Sequence, residues 1–341
     1  MIAGMLDRSS DPSGVLAFAP REIAEADANA PDIGPAVRAV LGAGLPEGPR
    51  PLAAALVAVA EADLSVARLV EGHVNALRLL ELFGGAPLPG LVYGVWGADA
   101  QPPVSSDGNR LSGAKRYASG LGIVDQAVVT VGAGAACRLA LVDVTDPDRH
   151  RPDAWNMTGM QDTVSGEIDL TGLSAVWLGG PGDYFREPHF LGGVWRIAAL
   201  QLGGTLGLLG AARDVLRARG HLEAEAQVAR LGPLAGRAMA AFGLVERAAR
   251  MAEGPEGRTD PDRAVMLSLQ GRLLTEELAQ DTVAAVERSV GLTHFESGAE
   301  TGRRARDLAT YCRQAARDAF EQKAGRIALG RAGPLSALWH G

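Results

Sequence analysis

The stretch RLSGAKRYASGLGIVDQAVV, residues 110–129, decides the fold. It alternates short apolar runs with glycines and charged residues, a pattern that is typical of strands joined by tight turns. Similar runs, rich in valine, leucine or aromatic residues, lie at 91–98, 137–144, 165–172 and 174–180. Together these runs predict a mostly antiparallel β unit over residues 91–185.

Helical periodicity dominates on both sides of this β unit. The apolar positions of residues 51–83 recur at helical spacing and predict one helix there. After residue 194 the same period predicts four long helices, which are typical of a four-helix bundle, at about 196–219, 222–253, 260–290 and 299–329. The sequence therefore predicts an α+β protein with three parts: an N-terminal helical domain (1–88), a central antiparallel β domain (89–190) and a C-terminal four-helix bundle (191–341).

Composition and charge restrict the possible classes of function. The chain has 341 residues, of which 47% are hydrophobic and 21% are charged, as in ordinary globular proteins. The net charge of -7 argues against a nucleic-acid-binding surface. Charged residues such as Glu61 and Asp63 interrupt the apolar segment 51–70, so no membrane insertion is predicted. The two cysteines, Cys137 and Cys312, are too few for a disulfide framework, and a cytoplasmic location is the simplest interpretation.

Five segments resemble, in the right order, motifs of the acyl-CoA dehydrogenase family. They are EADLSVARLVEGH (61–73), the opening stretch (110–129), WNMTGMQDTVSGEIDLTGLSAV (155–176), AALQLGGTLGLLGAARDVL (198–216) and GRRARDLATYC (302–312). The resemblance covers most of residues 50–330. It implies the fold of that family, an FAD cofactor, oxidation of a CH–CH group in an acyl-CoA thioester, a place in fatty acid metabolism, and a homodimer or homotetramer.

The same resemblance implies where the cofactor binds. In this family FAD lies between the β domain and the bundle, against an aromatic-x-Thr/Ser motif, which here is Tyr117-Ala118-Ser119. A hydroxyl at this position can bond to the flavin ring, and the aromatic ring can pack on it. A second contact comes from the strand that here contains Tyr93, Val95 and Trp96. The structural alternative for Tyr117 and Ser119 is a strand end with a core tyrosine and a surface serine.

The residues that the family uses for proton abstraction are missing. One usual place for the catalytic glutamate falls at residues 314–316, Gln-Ala-Ala, and the alternative place is occupied by Trp195. Weak candidates for a base are His294, Glu296 and Asp318. The family's R-x-x-F-G motif, which reaches FAD, is also absent. Arg219 is the guanidinium that remains there, so FAD binding is expected to be weak or absent.

Three hypotheses follow from this combination. The first is an acyl-CoA dehydrogenase-like FAD-dependent oxidoreductase with doubtful desaturase activity. The second is a non-catalytic or half-site subunit that pairs with a complete homologue in a hetero-oligomer. The third is a flavin monooxygenase of the same fold. The main pocket is expected between Trp96, Tyr117, Ser119 and Trp195. His73 is interpreted as a satisfied structural histidine, no metal-ligand spacing is found, and the electron-transfer partner is not indicated.

Overall fold

The computed structural model describes residues 32–313 and 316–339. These residues form two compact units. The sheet unit contains the described residues up to Gly44 together with Ser65–Arg186, and the helical unit contains Leu45–Leu64 and the described residues from Glu187 onward. The division into three domains that the sequence suggests stays a prediction.

Nine short strands form the β part of the sheet unit. They are β1 (Tyr93–Trp96), β2 (Ser105–Asp107), β3 (Arg110–Ser112), β4 (Ala114–Arg116), β5 (Gln126–Val131), β6 (Arg138–Asp143), β7 (His150–Arg151), β8 (Glu167–Asp169) and β9 (Val176–Leu178). They make a four-stranded sheet in the order β1-β5-β6-β9, a three-stranded sheet β4-β8-β7 and the hairpin β2-β3. Only the pair β1–β5 among these is parallel. The predicted, mostly antiparallel β unit is therefore confirmed.

The core of the sheet unit lies between the four-stranded sheet and a long helix. Helix α1 (Gly34–Gly42) precedes this core in sequence, and α3 (Leu64–Phe83) contributes Leu79 and Leu80 to it. These leucines pack against Val128 and Leu139. Burying a side chain of this size contributes about 1.5–3 kcal/mol, so the contacts between these leucines and the strands stabilise this layer.

The prediction of a single helix over 51–83 was wrong. The structure has α2 (Pro49–Ala62) and α3 (Leu64–Phe83), and they are separated at Asp63. Asp63 has extended backbone angles, φ -151° and ψ 121°, and its N–H caps the carbonyl of Val59 at 2.8 Å. The apolar spacing continues across this break, so periodicity alone could not reveal it.

Long helices form the rest of the helical unit, as predicted. They are α4 (Trp195–Ala218), α5 (Glu225–Glu253), the short α6 (Pro255–Thr259), α7 (Pro261–Val290), α8 (Glu300–Cys312) and α9 (Arg317–Gly330). The last predicted helix, 299–329, is thus two helices. Ala316, immediately before α9, has a left-handed conformation with φ 70° that a continuous helix cannot contain.

Glycines on α4 allow α2 to approach its backbone closely. A Cβ atom at Gly203 would lie 2.3 Å from the carbonyl oxygen of Val57, and one at Gly207 would lie 2.4 Å from that of Glu61. No side chain larger than hydrogen fits at such distances. The glycine-rich stretch 198–216 is therefore a helix-packing face.

Two described helices are long and apolar enough to cross a membrane by length and composition alone. They are Gly192–Ala218, whose most apolar window is 67% buried, and Glu225–Glu253, whose window is 22% buried. Core helices of soluble proteins meet the same criterion, so this is weak evidence for a membrane span. Helix α5 exposes apolar side chains, among them Val228 and Met239, which are 53% and 78% exposed.

Candidate functional site

The segment that follows β4 is fixed by backbone hydrogen bonds to the segment that precedes β8. The N–H of Ala118 donates to the carbonyl of Gly166 at 3.0 Å, and that of Gly120 donates to Thr163 at 2.8 Å. These two bonds flank Ser119. A Cβ atom at Gly166 would lie 2.6 Å from the carbonyl oxygen of Arg151, so only glycine allows this approach. The position of Ser119 is thus set by main-chain pairing.

Unusual backbone conformations cluster around Ser119. Four non-glycine residues in the described parts of the chain have a positive φ, and three of them belong to these two segments: Tyr117 at 56°, Met160 at 56° and Val164 at 42°. Each such residue costs about 1–3 kcal/mol, and such strain concentrates at functional sites. The cluster therefore marks this end of the sheet unit as a candidate site.

Aromatic side chains flank the same place. Tyr117 is 44% exposed, and its ring meets the partly buried Trp155 edge-on, with the centroids 6.3 Å apart. The guanidinium of Arg116 lies 4.2 Å from the centroid of the Tyr117 ring. Such an exposed ring beside a second aromatic ring offers a surface on which a planar group can pack.

A chain of hydroxyl groups runs inward from Ser119. The Oγ atoms of Ser119 and Ser165 are 2.9 Å apart, and the Ser165 Oγ lies 2.8 Å from the Thr163 Oγ1. Thr163 Oγ1 is in turn 2.7 Å from the carbonyl oxygen of Met160, which also accepts the indole N–H of Trp155 at 2.9 Å. Ser119 is half-buried, whereas Thr163 and Ser165 are buried.

The other predicted cofactor contacts, Tyr93, Val95 and Trp96, lie on β1. Trp96 is 3% exposed, and its indole N–H donates to the carbonyl of Ser119 at 3.2 Å. Tyr93 is also buried, and its hydroxyl accepts the N–H of Leu88 at 2.7 Å. The two aromatic side chains are therefore used inside the unit, and the backbone of β1 is the part that remains for a cofactor contact. That contact stays a prediction.

His73 is a satisfied structural histidine, as the sequence suggested. Its Nδ1 accepts the backbone N–H of Tyr93 at 3.1 Å. Burial lowers the pKa of His73 to about 4. The ring is thus neutral at neutral pH, and its Nε2 carries the proton.

A buried ion pair supports β4 from inside. Lys115 is fully buried, and its Nζ donates to Asp99 Oδ1 at 2.5 Å and to Thr130 Oγ1 at 2.7 Å. Burial lowers the pKa of Lys115, and the bond to Asp99 opposes that change. Because β4 leads directly to Tyr117 and Ser119, this pair anchors the strand that carries the candidate site.

Comparison with solved structures identifies the architecture. Butyryl-CoA dehydrogenase from Megasphaera elsdenii superposes with a TM-score of 0.78 at 14% identity, and the match covers 97% of this chain and 100% of that one. TdsC from Paenibacillus sp. A11-2, in a complex with FMN and indole, gives 0.71 at 17% identity over 95% and 99% of the chains. The chain has the acyl-CoA dehydrogenase fold.

The same fold is found in a monooxygenase. Methanesulfinate monooxygenase MsuC from Pseudomonas fluorescens matches with a TM-score of 0.75 at 17% identity, covering 95% of this chain and 99% of that one. No protein-family model and no curated protein matches the sequence. Identities this low show the acyl-CoA dehydrogenase fold alone, so the chemistry must be argued from the residues.

In the helical unit, a carboxylate that the sequence did not reveal lies beside Trp195. The indole N–H of the buried Trp195 donates to Glu253 Oε1 at 3.0 Å, and the guanidinium of Arg196 donates to the same oxygen at 2.5 Å. Glu253 ends α5, more than fifty residues away in sequence, and no motif marks it. The Glu253 Oε1 therefore already accepts two hydrogen bonds.

The three candidates for a base differ in their burial. His294 lies in a 3-10 turn, Gly291–Phe295, and is 3% exposed. Burial lowers its pKa. Glu296 and Asp318 are exposed, and no hydrogen bond among the described residues joins any two of the three. Gln314 and Ala315 lie outside the described residues.

The Arg219 guanidinium binds groups of its own unit. Its guanidinium donates to the carbonyl of Val290 at 2.8 Å and to the hydroxyl of Thr293. These bonds hold the start of the turn Gly291–Phe295. In this arrangement the guanidinium has two partners already, and a phosphate would have to displace them.

The helical unit also has a surface cavity of about 430 Å³ between α4 and α5. Apolar side chains such as Leu206 and Leu231 line it, and Glu61 lies at its edge. None of the site residues predicted from the sequence lines this cavity. The expected pocket between Trp96, Tyr117, Ser119 and Trp195 stays a prediction. Among the described residues, no group of three or more His, Cys, Asp or Glu could hold a metal ion.

Proposed function

We propose that this chain is a flavin-dependent oxidoreductase that binds the flavin ring against Tyr117 and Ser119. The observation that carries the proposal is the Ser119 hydroxyl, fixed at a strained strand end beside an exposed tyrosine. In a fold whose solved members include an FMN complex, a hydroxyl and a flat aromatic surface at this position suit a flavin. When bound, a flavin supplies two-electron chemistry at its ring, either as a hydride acceptor or, once reduced, toward O₂.

The residues in hand fit the ring of the flavin better than its nucleotide half. Ser119 offers one hydroxyl, β1 offers backbone groups, and Tyr117 offers a packing surface. On the adenosine side, Arg219 is bound to Val290 and Thr293, and the R-x-x-F-G motif is absent. We therefore expect FAD to bind weakly and FMN, which lacks the adenosine half, to bind with comparable affinity.

For the reaction, dehydrogenation of an acyl-CoA thioester requires a base for the α proton and a hydride acceptor for the β hydrogen. Trp195 cannot accept that proton, and Glu253 beside it is paired with Arg196. A positioned base contributes about 10²- to 10⁴-fold in rate. We therefore expect the chain to oxidise acyl-CoA substrates slowly, if it binds them.

A flavin monooxygenase is the second candidate function, and the missing base favours it. Two of the similar structures, the dibenzothiophene monooxygenase TdsC and the methanesulfinate monooxygenase MsuC, are named for oxygen chemistry. In that reaction the reduced flavin and O₂ oxygenate the substrate, and water and oxidised flavin are the other products. A separate reductant must supply the two electrons, and no carboxylate base for an α proton is needed.

The assembly that we propose is a homodimer or a dimer of dimers in the cytoplasm. The exposed apolar side chains of α5, Val228 and Met239 among them, favour a covered surface. Pairing with a complete homologue is the alternative for a chain without catalytic activity. Light scattering after size-exclusion chromatography distinguishes these states, and a monomer at micromolar concentration would contradict self-association.

The experiment that tests flavin binding is a titration of the purified chain with FAD and with FMN, followed by visible absorption. We expect a perturbed, bound flavin spectrum for the wild type. Ser119→Ala should weaken binding by about 0.5–1.5 kcal/mol, the net value of one hydrogen bond. Thr145→Val is the matched control, because it removes an exposed hydroxyl of the same unit that bonds to Asp143. A chain that binds neither flavin would be a non-catalytic subunit.

A second experiment separates the two enzymatic functions. Without oxygen, an acyl-CoA probe should bleach the bound flavin slowly if the chain is a dehydrogenase. With externally reduced flavin and O₂, an aromatic heterocycle such as indole should be oxygenated if the chain is a monooxygenase. Fast bleaching by acyl-CoA would show that a base exists which the described residues do not reveal.

A further inference from the structure

The hydroxyl chain behind Ser119 has a property that a single hydroxyl lacks. Its three oxygens are consecutive neighbours, Ser119 to Ser165 at 2.9 Å and Ser165 to Thr163 at 2.8 Å, and each hydroxyl has one proton to donate. Thr163 and Ser165 are 1% and 2% exposed, so water does not compete for these bonds. The direction of the whole chain is therefore set by its two ends.

Two complete arrangements of the protons exist. In the structure the Ser165 Oγ is placed as the donor to the Ser119 Oγ at 2.9 Å, which is the outward direction. In the inward arrangement the Ser119 hydroxyl rotates to donate to Ser165, Ser165 donates to Thr163, and Thr163 donates to the carbonyl of Met160 at 2.7 Å. In the outward arrangement Thr163 donates to Ser165 and Ser165 donates to Ser119, so the proton of Ser119 points away from the other two hydroxyls. The Met160 carbonyl keeps a partner in both cases, because the indole N–H of Trp155 donates to it at 2.9 Å. Neither arrangement leaves a buried oxygen without a bond.

We propose that Ser119, Ser165 and Thr163 form a reversible hydrogen-bond switch that serves both redox states of the flavin. The inference rests on the proposed flavin site. Oxidised flavin presents a lone pair at N5, which requires a donor, and reduced flavin presents an N–H there, which requires an acceptor. The outward arrangement makes Ser119 a donor, and the inward arrangement makes it an acceptor. Thr163 and Ser165 are positioning residues in this switch, since they act through Ser119.

The inner hydroxyls stabilise the complex with reduced flavin more than the complex with oxidised flavin. When Ser119 donates outward to the ring, it needs no inner acceptor. When it accepts from the ring, its own proton must go inward, and a desolvated proton without a partner costs about 1–3 kcal/mol. Ser165 accepts this proton, and Thr163 accepts the next one. Removing either residue therefore penalises the reduced flavin more than the oxidised flavin.

The experiment compares the dissociation constants of oxidised and reduced flavin and the midpoint potential of the complex under anaerobic conditions. FAD or FMN is used, whichever the wild type binds. For Ser165→Ala and Thr163→Val we expect reduced flavin to lose about 5- to 100-fold more affinity than oxidised flavin. Each tenfold difference lowers the two-electron midpoint potential by about 30 mV. Thr163→Ser keeps the hydroxyl and should restore the wild-type potential.

Controls separate the switch from a structural role and from the flavin site itself. Thr145→Val should leave the potential unchanged, and thermal unfolding checks that each variant is folded. Equal weakening of both redox states, or a normal potential in Ser165→Ala and Thr163→Val, would show that the hydroxyls only stabilise the strand end and would overturn the switch. If the wild type binds no flavin, the proposed function fails first, and the switch fails with it.

Discussion

The two units of this chain differ at the positions that the resemblance to acyl-CoA dehydrogenases assigns to the site. At the strand end of the sheet unit, Ser119 is backed by buried hydroxyls and flanked by an exposed tyrosine. In the helical unit, Trp195 stands at one of the two positions where the resemblance implies the base, and the neighbouring carboxylate of Glu253 is bound to Arg196. Among the described residues, the groups that we propose to hold a flavin ring lie together in the sheet unit, whereas the carboxylate beside Trp195 already accepts two hydrogen bonds.

The largest expected effect comes from returning the missing base to the helical unit. Position 315 lies outside the described residues and is chosen from the sequence resemblance alone. If flavin is bound, Ala315→Glu should raise the rate of flavin bleaching by acyl-CoA by up to about 10²- to 10⁴-fold. Stopped-flow absorption measures this rate. Ala319→Glu adds the same charge at an exposed site of α9 and should leave the rate unchanged. Fast bleaching of the flavin by acyl-CoA in the wild type would show that the chain already has a base, and the difference drawn between the two units would be wrong.

The second prediction concerns the ion pair that supports β4. Asp99→Ala leaves the buried Lys115 ammonium without its carboxylate, which should reduce the free energy of unfolding by about 3–5 kcal/mol. The single variant Lys115→Met removes the buried positive charge itself and should reduce the free energy of unfolding much less. Urea unfolding of both variants and of the double variant measures this. If Asp99→Ala proves no more harmful than Lys115→Met, the pair does not hold the strand that carries Ser119.

The sequence predicted the elements that a motif or a period can encode. Tyr117 and Ser119 stand in a recognisable aromatic-x-Ser motif, and the structure places them together at a strained strand end. The long helices followed from their apolar period. The break at Asp63 did not, because the spacing of apolar residues continues across it.

Other features of the site gave no sequence signal. The left-handed conformations of Met160 and Val164 occur in residue types that rarely adopt them. Thr163 and Ser165 stand in one of the quoted motifs, but only the pairing of two distant segments shows that they reach Ser119. Glu253 meets Arg196 through the packing of α5 against α4, and this contact cannot be read from spacing.

The third prediction tests His73, which supports β1 beside the same strand end. Its folded pKa, about 4, lies below the unfolded value of 6.5 because of burial. The unfolded chain therefore binds a proton that the folded chain does not. The stabilisation is complete above about pH 6.5 and is lost as the pH falls toward 4. At pH 5 we expect the free energy of unfolding to be roughly 1–2 kcal/mol lower than at pH 7 because of His73.

Urea unfolding at pH 7 and pH 5 measures this dependence. His73→Asn should reduce the difference between the two pH values, because its amide oxygen can accept the Tyr93 N–H without titrating. His221→Gln, at an exposed histidine, is the matched control and should behave as the wild type. An unchanged pH dependence in His73→Asn would show that other groups cause it.

The smallest effect on stability is expected at Tyr117, and it distinguishes a binding surface from a core position. Tyr117 is 44% exposed and has a positive φ, which asparagine adopts more readily than tyrosine. Tyr117→Asn should therefore change the free energy of unfolding by less than about 1 kcal/mol. It should nevertheless weaken flavin binding by about 2- to 10-fold, because a stacking surface of about 0.5–1.5 kcal/mol is lost. The buried Tyr93 provides the contrast, since Tyr93→Asn should cost about 3–5 kcal/mol. If the two variants proved equally unstable, Tyr117 would be a core residue, and its strained backbone would have no binding function to explain it.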